Sequence, residues 1–378
     1  MDYFKLKKME RKTLIKRIKV YEKRIYLLKL RKFIIIIFLF FGYIRTFNNK
    51  NKNKRNKIIS STNKRFERLK LRSPNITKNK VKKNIHKYNY ENDKFAILTS
   101  ECSNCGLFSF YIYYLGCVNK YIQKGYIPVI DMKSYPIPYN NFTINKNKTN
   151  PWEYLFEQPF GYTLEEVLQN AKNKEYFNCH DESINRPSET TIFYNKELIN
   201  FWHNVSKKYL PIKKEIINES NNIRKYLFKN SRNILGVKMR GTDYVTIKPK
   251  YHPVIPPIEM VISDIKNMTS KNHYDWIFFA SEDERMKARI ISEFKDKVKY
   301  LNANKTINYD YKGNQFFTLN KDVVGDLEYA KNYLMNIYIL SKCTDIIMTR
   351  GSGGAGIIIL TEGFRNSLIY NLGDNHLI

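Results

Sequence analysis

No Asp-x-Asp occurs anywhere in the 378 residues, so the familiar carboxylate arrangement for holding a divalent cation on a sugar nucleotide is absent. The chain has no P-loop, and no Ser-His-Asp or Cys-His pairing stands out as nucleophilic machinery. Cysteine is scarce, with five in all, an odd number whose spacing does not suggest a disulfide scaffold. Cys102 and Cys105 form one C-x-x-C, but Cys117, Cys179 with His180, and Cys343 offer no tidy second pair of zinc ligands. Ordinary buried or loop thiols are therefore expected, and no metal site. Long apolar runs are missing too. The longest, "FIIIIFLFFGYI" from Phe33 to Ile44, has 12 residues, short of the ~20 that span a bilayer as a helix. No small-x-small cleavage site follows it, so a cleaved leader is disfavoured.

What is present is unevenly spread. The net charge of +31 resides mostly in residues 1–90, which hold 29 Lys or Arg against 4 acids, a balance of +25. The remaining 288 residues carry +6. Leu14, Ile18, Ile25 and Leu28 recur at helical spacing among the basic residues, which predicts a cationic amphipathic helix. With the short apolar run, residues 1–45 read as a segment that associates with an anionic membrane surface, either crossing it or lying along it. Residues 46–92, rich in Lys and Asn, read as linker. A nucleic-acid partner rests on the basic arm alone and is not expected. The cytoplasmic face of a bacterial inner membrane is the expected location, with a type II protein of a secretory compartment as the alternative. Seven N-x-S/T sequons say little in a chain so rich in asparagine.

The pattern changes at "KFAILTS", a strand followed by the loop "SECSNCGLFS", an apolar-aromatic helix and the strand "IPVIDM". That is a βαβ unit, and ligands of such sheets bind at the loops beyond the strands' carboxyl ends. Gly106 stands in that loop and either serves its turn or lets backbone approach a ligand. A second series begins with "NILGVKM" and alternates strands and helices through "WIFFAS", "DERMKARIISEF", "KVKYLNA", "DIIMT" and "NSLIYNL". Two Rossmann-like domains facing a cleft are predicted, at residues 93–228 and 229–378, in an α/β protein of mostly parallel sheet.

Three stretches carry candidate chemistry. "GVKMRGTDY" puts Arg240 and Asp243 where a strand emerges: a loop ion pair, or a guanidinium fork for phosphate oxygens. "TRGSGGAG", Thr349 to Gly356, is a glycine-rich turn opening a helix, where converging N–H groups favour an anion. "FFASEDE" places Glu282 and Asp283 past a strand end, to cap the next helix or to grip a ligand's hydroxyls.

In their order and spacing these stretches resemble the fucosyltransferase superfamily of α1,6-fucosyltransferases and the rhizobial nodulation fucosyltransferase. "GVKMRGTDY" resembles the strand with the family's arginine and R-x-x-D, and "YHPVIPPIEM" its His-Pro continuation. "IFFASEDE" resembles the strand ending in Thr/Ser-Asp-Asp, and "LMNIYILSKCTDIIMTRGSG" the helix and strand leading to a phosphate-binding serine. The resemblance implies a GT-B-like, metal-independent, inverting transferase of a sugar from a GDP-sugar, with fucose the first candidate, to a glycan or glycolipid. It needs no cofactor beyond that donor; a non-catalytic membrane-anchored glycan- or nucleotide-binding protein with a degenerate GT-B fold is the alternative. Arg240 would meet the diphosphate, Thr349, Ser352 and Gly353 would share the phosphate, and Gly106 would stand beside the donor. Glu282, Asp283 and Asn336 would contact nucleotide or sugar. Three positions depart from the family: Lys238 stands for a histidine, Asn336 for an acid and Lys248 for a glutamate. Asp243 is the first candidate for the general base and His252 the second.

Overall fold

The computed structural model describes residues 89–375, apart from internal stretches at 103–104, 136–137, 140–142, 145–146, 182, 303–319, 321–322 and 324–325. The expected amphipathic helix, the apolar run and all but the last residues of the linker lie outside the described residues. Among the described residues no helix is long and apolar enough to cross a membrane.

The first half opens with strand β1 (Lys94–Thr99), helix α1 (Leu107–Gln123) and strand β2 (Ile127–Ile130). A small hairpin follows, β3 (Thr143–Ile144) with β4 (Asn147–Lys148), then helices α2 (Pro151–Leu155) and α3 (Leu164–Asn170) and strand β5 (Asn173–Asn178). A capping box forms at the start of α3, where Thr163 and Glu166 satisfy each other's backbone N–H groups. Helices α4 (Lys196–Tyr209) and α5 (Lys214–Phe228) are separate because Pro211 cannot continue the first.

The second half runs β6 (Ile234–Lys238), a single turn α6 (Asp243–Thr246), α7 (Ile258–Lys271), β7 (Trp276–Ala280), α8 (Glu284–Phe294) and β8 (Val298–Lys299). It closes with α9 (Leu327–Ser341), β9 (Asp345–Thr349), α10 (Ser352–Leu360) and β10 (Ser367–Tyr370).

Both sheets are parallel, and both place their first strand inside. The order is β2-β1-β5 in one and β10-β9-β6-β7-β8 in the other. Each chain segment therefore builds outward on one side of its first strand and then crosses to the other. The crevice beyond the strand ends at such a switch is where doubly wound sheets take ligands. The switches fall between β1 and β5 and between β6 and β9.

Strand faces alternate as the two-residue period demands. Phe95 and Ile97 of β1 pack under α3, and Ala96 and Leu98 face the main core. Leu235 and Val237 of β6 pack against Val261 and Ile265 of α7, while Gly236 lies under Leu340 of α9. The main core is continuous through both halves because α10 runs between them. Its Gly353 to Ile359 are all buried, and the three isoleucines contribute about 1.5–3 kcal/mol each.

The cysteines differ from expectation. Instead of thiols, Cys102–Cys105 and Cys117–Cys179 are disulfides with Cα separations of 5.5 and 5.7 Å, and Cys343 alone is a buried thiol. Cys117 sits mid-helix in α1 and Cys179 just past β5, 62 residues on, so only the fold brings them together. Among the described residues one grouping of three potential metal ligands occurs, Cys102, Cys105 and His180, and both its sulfurs are committed to the disulfide.

Candidate active site

Arg240 stands two residues beyond β6, on the switch-point side of the sheet. Its Nη2 lies 3.1 Å from Asp243 Oδ1, its Nε 3.4 Å from Glu282 Oε1, and its guanidinium 4.6 Å from the Tyr244 ring centre. Burial works against the charge, but Glu282 and Asp243 outweigh it, and the group's pKa is raised. The guanidinium is thus permanently charged yet only 20 % exposed.

The turn that presents it is pinned by the next strand. Gly241 N–H donates to Glu282 Oε1 at 2.8 Å and Thr242 N–H to Asp283 Oδ2 at 2.9 Å. Only glycine fits at 241, since a Cβ there would stand 2.4 Å from that of Asp283. Thr242 holds a φ of 53°, a costly conformation for a β-branched residue, maintained by those bonds. Asp283 also caps α8 and pairs with Arg285. Burial would raise its pKa, but Arg285 and the Thr242 amide hold it below the usual carboxylate range.

One cavity collects most of the remaining candidates. Gly106, Lys238, Arg240, Glu282, Asn336, Ser352 and Gly353 all line it. Asp243, Asp283, Thr349 and His252 do not. Asp243 is 3 % exposed and holds Arg240, so it is a positioning residue here. Thr349 is fully buried at the end of β9. His252 sits behind Tyr244, edge-on at 5.0 Å, with Nδ1 3.0 Å from Lys250 O. Asn336 lines the cavity from α9 and donates back to Asn332 O at 3.0 Å.

Lys238 is buried at the end of β6. Desolvation lowers its pKa to about 8; Arg240 adds to this, while Glu282 and Glu189 work against it. The first turn of α10 passes directly over it. A Cβ at Gly353 would meet Tyr333 Oη at 2.4 Å and Lys238 Cε at 2.9 Å, so a side chain there would displace the ammonium. Gly351, Gly353 and Gly356 stand at G-x-G-x-x-G spacing, Gly351 at the N-cap of α10 and the other two within its first turns, the strand–turn–helix setting in which that spacing brings backbone N–H groups to a phosphate.

Motif reading overlooks three further groups. Arg350 lines the cavity beside Gly351, 8 % exposed, with Nη2 held by Asp374 at 2.5 Å and Nε without a hydrogen-bond partner among the described residues. The signal that singles out Arg240, a cation at a strand's end, also applies to Arg350. Ser109 reaches from α1 to Ser352, with 2.8 Å between their hydroxyl oxygens. Glu189 accepts a hydrogen bond from Ser352 Oγ. It stands in a loop without periodicity, which gives no sequence signal.

The site is therefore a cationic cradle at the switch of a doubly wound sheet: Lys238 at the end of β6 and Arg240 after it, Arg350 after β9, and the N-terminus of α10 beside them. No family model matches the chain, and no curated protein does. Among solved structures it is similar to a NodZ α-1,6-fucosyltransferase soaked with GDP-fucose, at 13% identity and TM-score 0.44 over 71% of this chain and 93% of that one. It is similar also to fucosyltransferase NodZ from Bradyrhizobium, at 12% identity and TM-score 0.41 over 68% of this chain and 88% of that one. A third is POFUT1 in complex with GDP, at 9% identity and TM-score 0.43 over 73% of this chain and 98% of that one.

Proposed function

We propose that the chain is a glycosyltransferase that moves a sugar from a GDP-sugar, fucose being the first candidate, to a glycan or glycolipid acceptor, without metal and with inversion. The convergence of Lys238, Arg240, Arg350 and the α10 N-terminus on one cavity carries this reading. These groups match a diphosphate, and the motif order in the sequence points to GDP-fucose. Arg240 stabilises the charge that grows on the departing diphosphate, and its fixed carboxylate partners spare the reaction the cost of reorganising it. Ser352 and the neighbouring amides share the phosphate.

Membrane association belongs to the same proposal and rests on the 29 Lys and Arg of residues 1–90. The two disulfides favour the placement in an oxidising compartment over the cytoplasmic face.

Thermal-shift titrations of the full chain with GDP, UDP, ADP and CMP, with and without EDTA, test the reading. A ligand at a hundred times its Kd adds about 2.7 kcal/mol of stability. The expected result is stabilisation by GDP, indifferent to EDTA and lost in Arg240→Ala, whose turnover falls about 10²–10³-fold. Preference for another nucleotide removes fucose. No response to any of them removes the transferase.

A further inference from the structure

Transfer to a hydroxyl needs a group to take its proton, and the acids beside Arg240 are poorly placed to do so. Asp243 holds Arg240 and receives the Thr242 hydroxyl at 3.1 Å. Glu282 receives the Gly241 amide at 2.8 Å, shares the single Thr242 hydroxyl hydrogen with Asp243 at 3.1 Å, and pairs with Arg240 at 3.4 Å. Asp283 is taken up by Thr242 and Arg285, and Glu284 by Lys287. A carboxylate already engaged by cations and N–H donors has fewer lone pairs left to receive a proton.

Glu189 differs in three respects. It belongs to the first half, in the segment between β5 and α4, and it meets the cavity at Ser352, the first residue of α10, without lining the cavity itself. Its hydrogen bond comes from a neutral donor, the Ser352 hydroxyl, and it has no ion-pair partner among the described residues. Its charge nevertheless acts on Lys238, Tyr244 and Tyr333, all of which line the cavity.

We propose, resting on the transferase reading, that Glu189 is the catalytic base. The acceptor's O–H proton passes to the Glu189 carboxylate as the acceptor oxygen bonds to the anomeric carbon. The bond from that carbon to the diphosphate oxygen breaks, and its electron pair leaves on the diphosphate beside Arg240 and Lys238. The carboxylic acid then loses its proton to solvent. The Ser352 contact gives this role a signature. That hydroxyl can serve Glu189 or a phosphoryl oxygen, so the carboxylate competes with the donor for it.

The experiment uses the full chain as wild type, Glu189→Gln and Glu189→Asp. GDP affinity is measured by calorimetry, and turnover as GDP released from GDP-fucose with water as the acceptor. In Glu189→Gln, turnover falls about 10²–10⁴-fold while GDP binds at least as tightly, and Glu189→Asp recovers part of the rate. Glu189→Gln turning over within about threefold of wild type overturns the base and leaves the transferase standing. Weaker GDP binding together with a lower Tm in that variant also overturns it, assigning Glu189 to holding the two halves together through Ser352. A wild type that neither binds GDP nor releases it overturns the transferase reading itself.

Discussion

The two sheets share a topology but fasten their strand-end loops by different means. In the first half the loop after β1 is closed by Cys102–Cys105, the segment after β5 is tied to α1 by Cys117–Cys179, and Asp131 after β2 accepts the N–H groups of Lys133 and Ser134. In the second half the loops after β6 and β9 are held by charge: Arg240 to Asp243 and Glu282, and Arg350 to Asp374. On the side of the covalently fastened loops the residues that line the cavity, Gly106, Leu107, Phe108, Ser109 and Tyr139, carry no charge. Ionic fastening leaves guanidinium groups that are buried, oriented and still charged. The same fold thus yields one uncharged wall and another suited to an anion.

That contrast can be broken at several points. The largest effect is expected from Cys117→Ala with Cys179→Ala, which costs about 2–4 kcal/mol and lowers Tm by about 5–10 °C. GDP affinity by calorimetry should stay within about twofold of wild type, because the stability loss arises mainly in the unfolded chain. A parallel loss of nucleotide binding would erase the distinction between the halves.

Gly356→Ala comes next. A Cβ there would lie 2.2 Å from Phe108 Cδ1, where α10 packs on α1, and overpacking of this kind costs about 1–3 kcal/mol by denaturant unfolding. Adding Phe108→Leu should restore part of that. No restoration would place the strain within α10 itself.

The smallest effect concerns pH and falls on the second half alone. Lys238 titrates at about 8 in the folded chain, against 10.5 when unperturbed. Between those values the unfolded chain holds more protons, so this lysine makes stability rise with pH across the window. Its charge attracts a diphosphate, so GDP affinity should fall as pH rises through about 8, by at most about tenfold per unit. Lys238→Arg, charged throughout, should flatten the profile. Affinity and stability that move in the same direction over this range would remove Lys238 from the cradle.

Much of the architecture was legible because hydrophobic periodicity reports one-sided burial. Every strand of the second sheet coincides with an apolar run, although "KVKYLNA" pairs only at Val298 and Lys299. Strand β5 escaped because "NKEYFN" has no buried residue and so no apolar alternation to read. The disulfides escaped because pairing depends on folded distance, and neither Cys117 nor Cys179 has a neighbour in sequence to signal it. In the site, Lys238, Arg240, Ser352 and Gly353 were readable from strand ends and a glycine-rich turn. The use of Asp283 as a clamp on Thr242 was not, since one carboxylate in sequence can cap a helix, pin a loop or meet a ligand. Glu189 becomes a candidate only once the fold brings residue 189 to residue 352.

Helix α10 has a mechanical consequence. Its first residue faces the cradle, and its remaining length is wedged, glycine against phenyl ring, into a core that belongs to both halves. Rotating one half against the other would shear close-packed interior, which yields little. The described residues are built as a fixed jaw rather than a hinge, and a load on Ser352 is borne by both sheets at once.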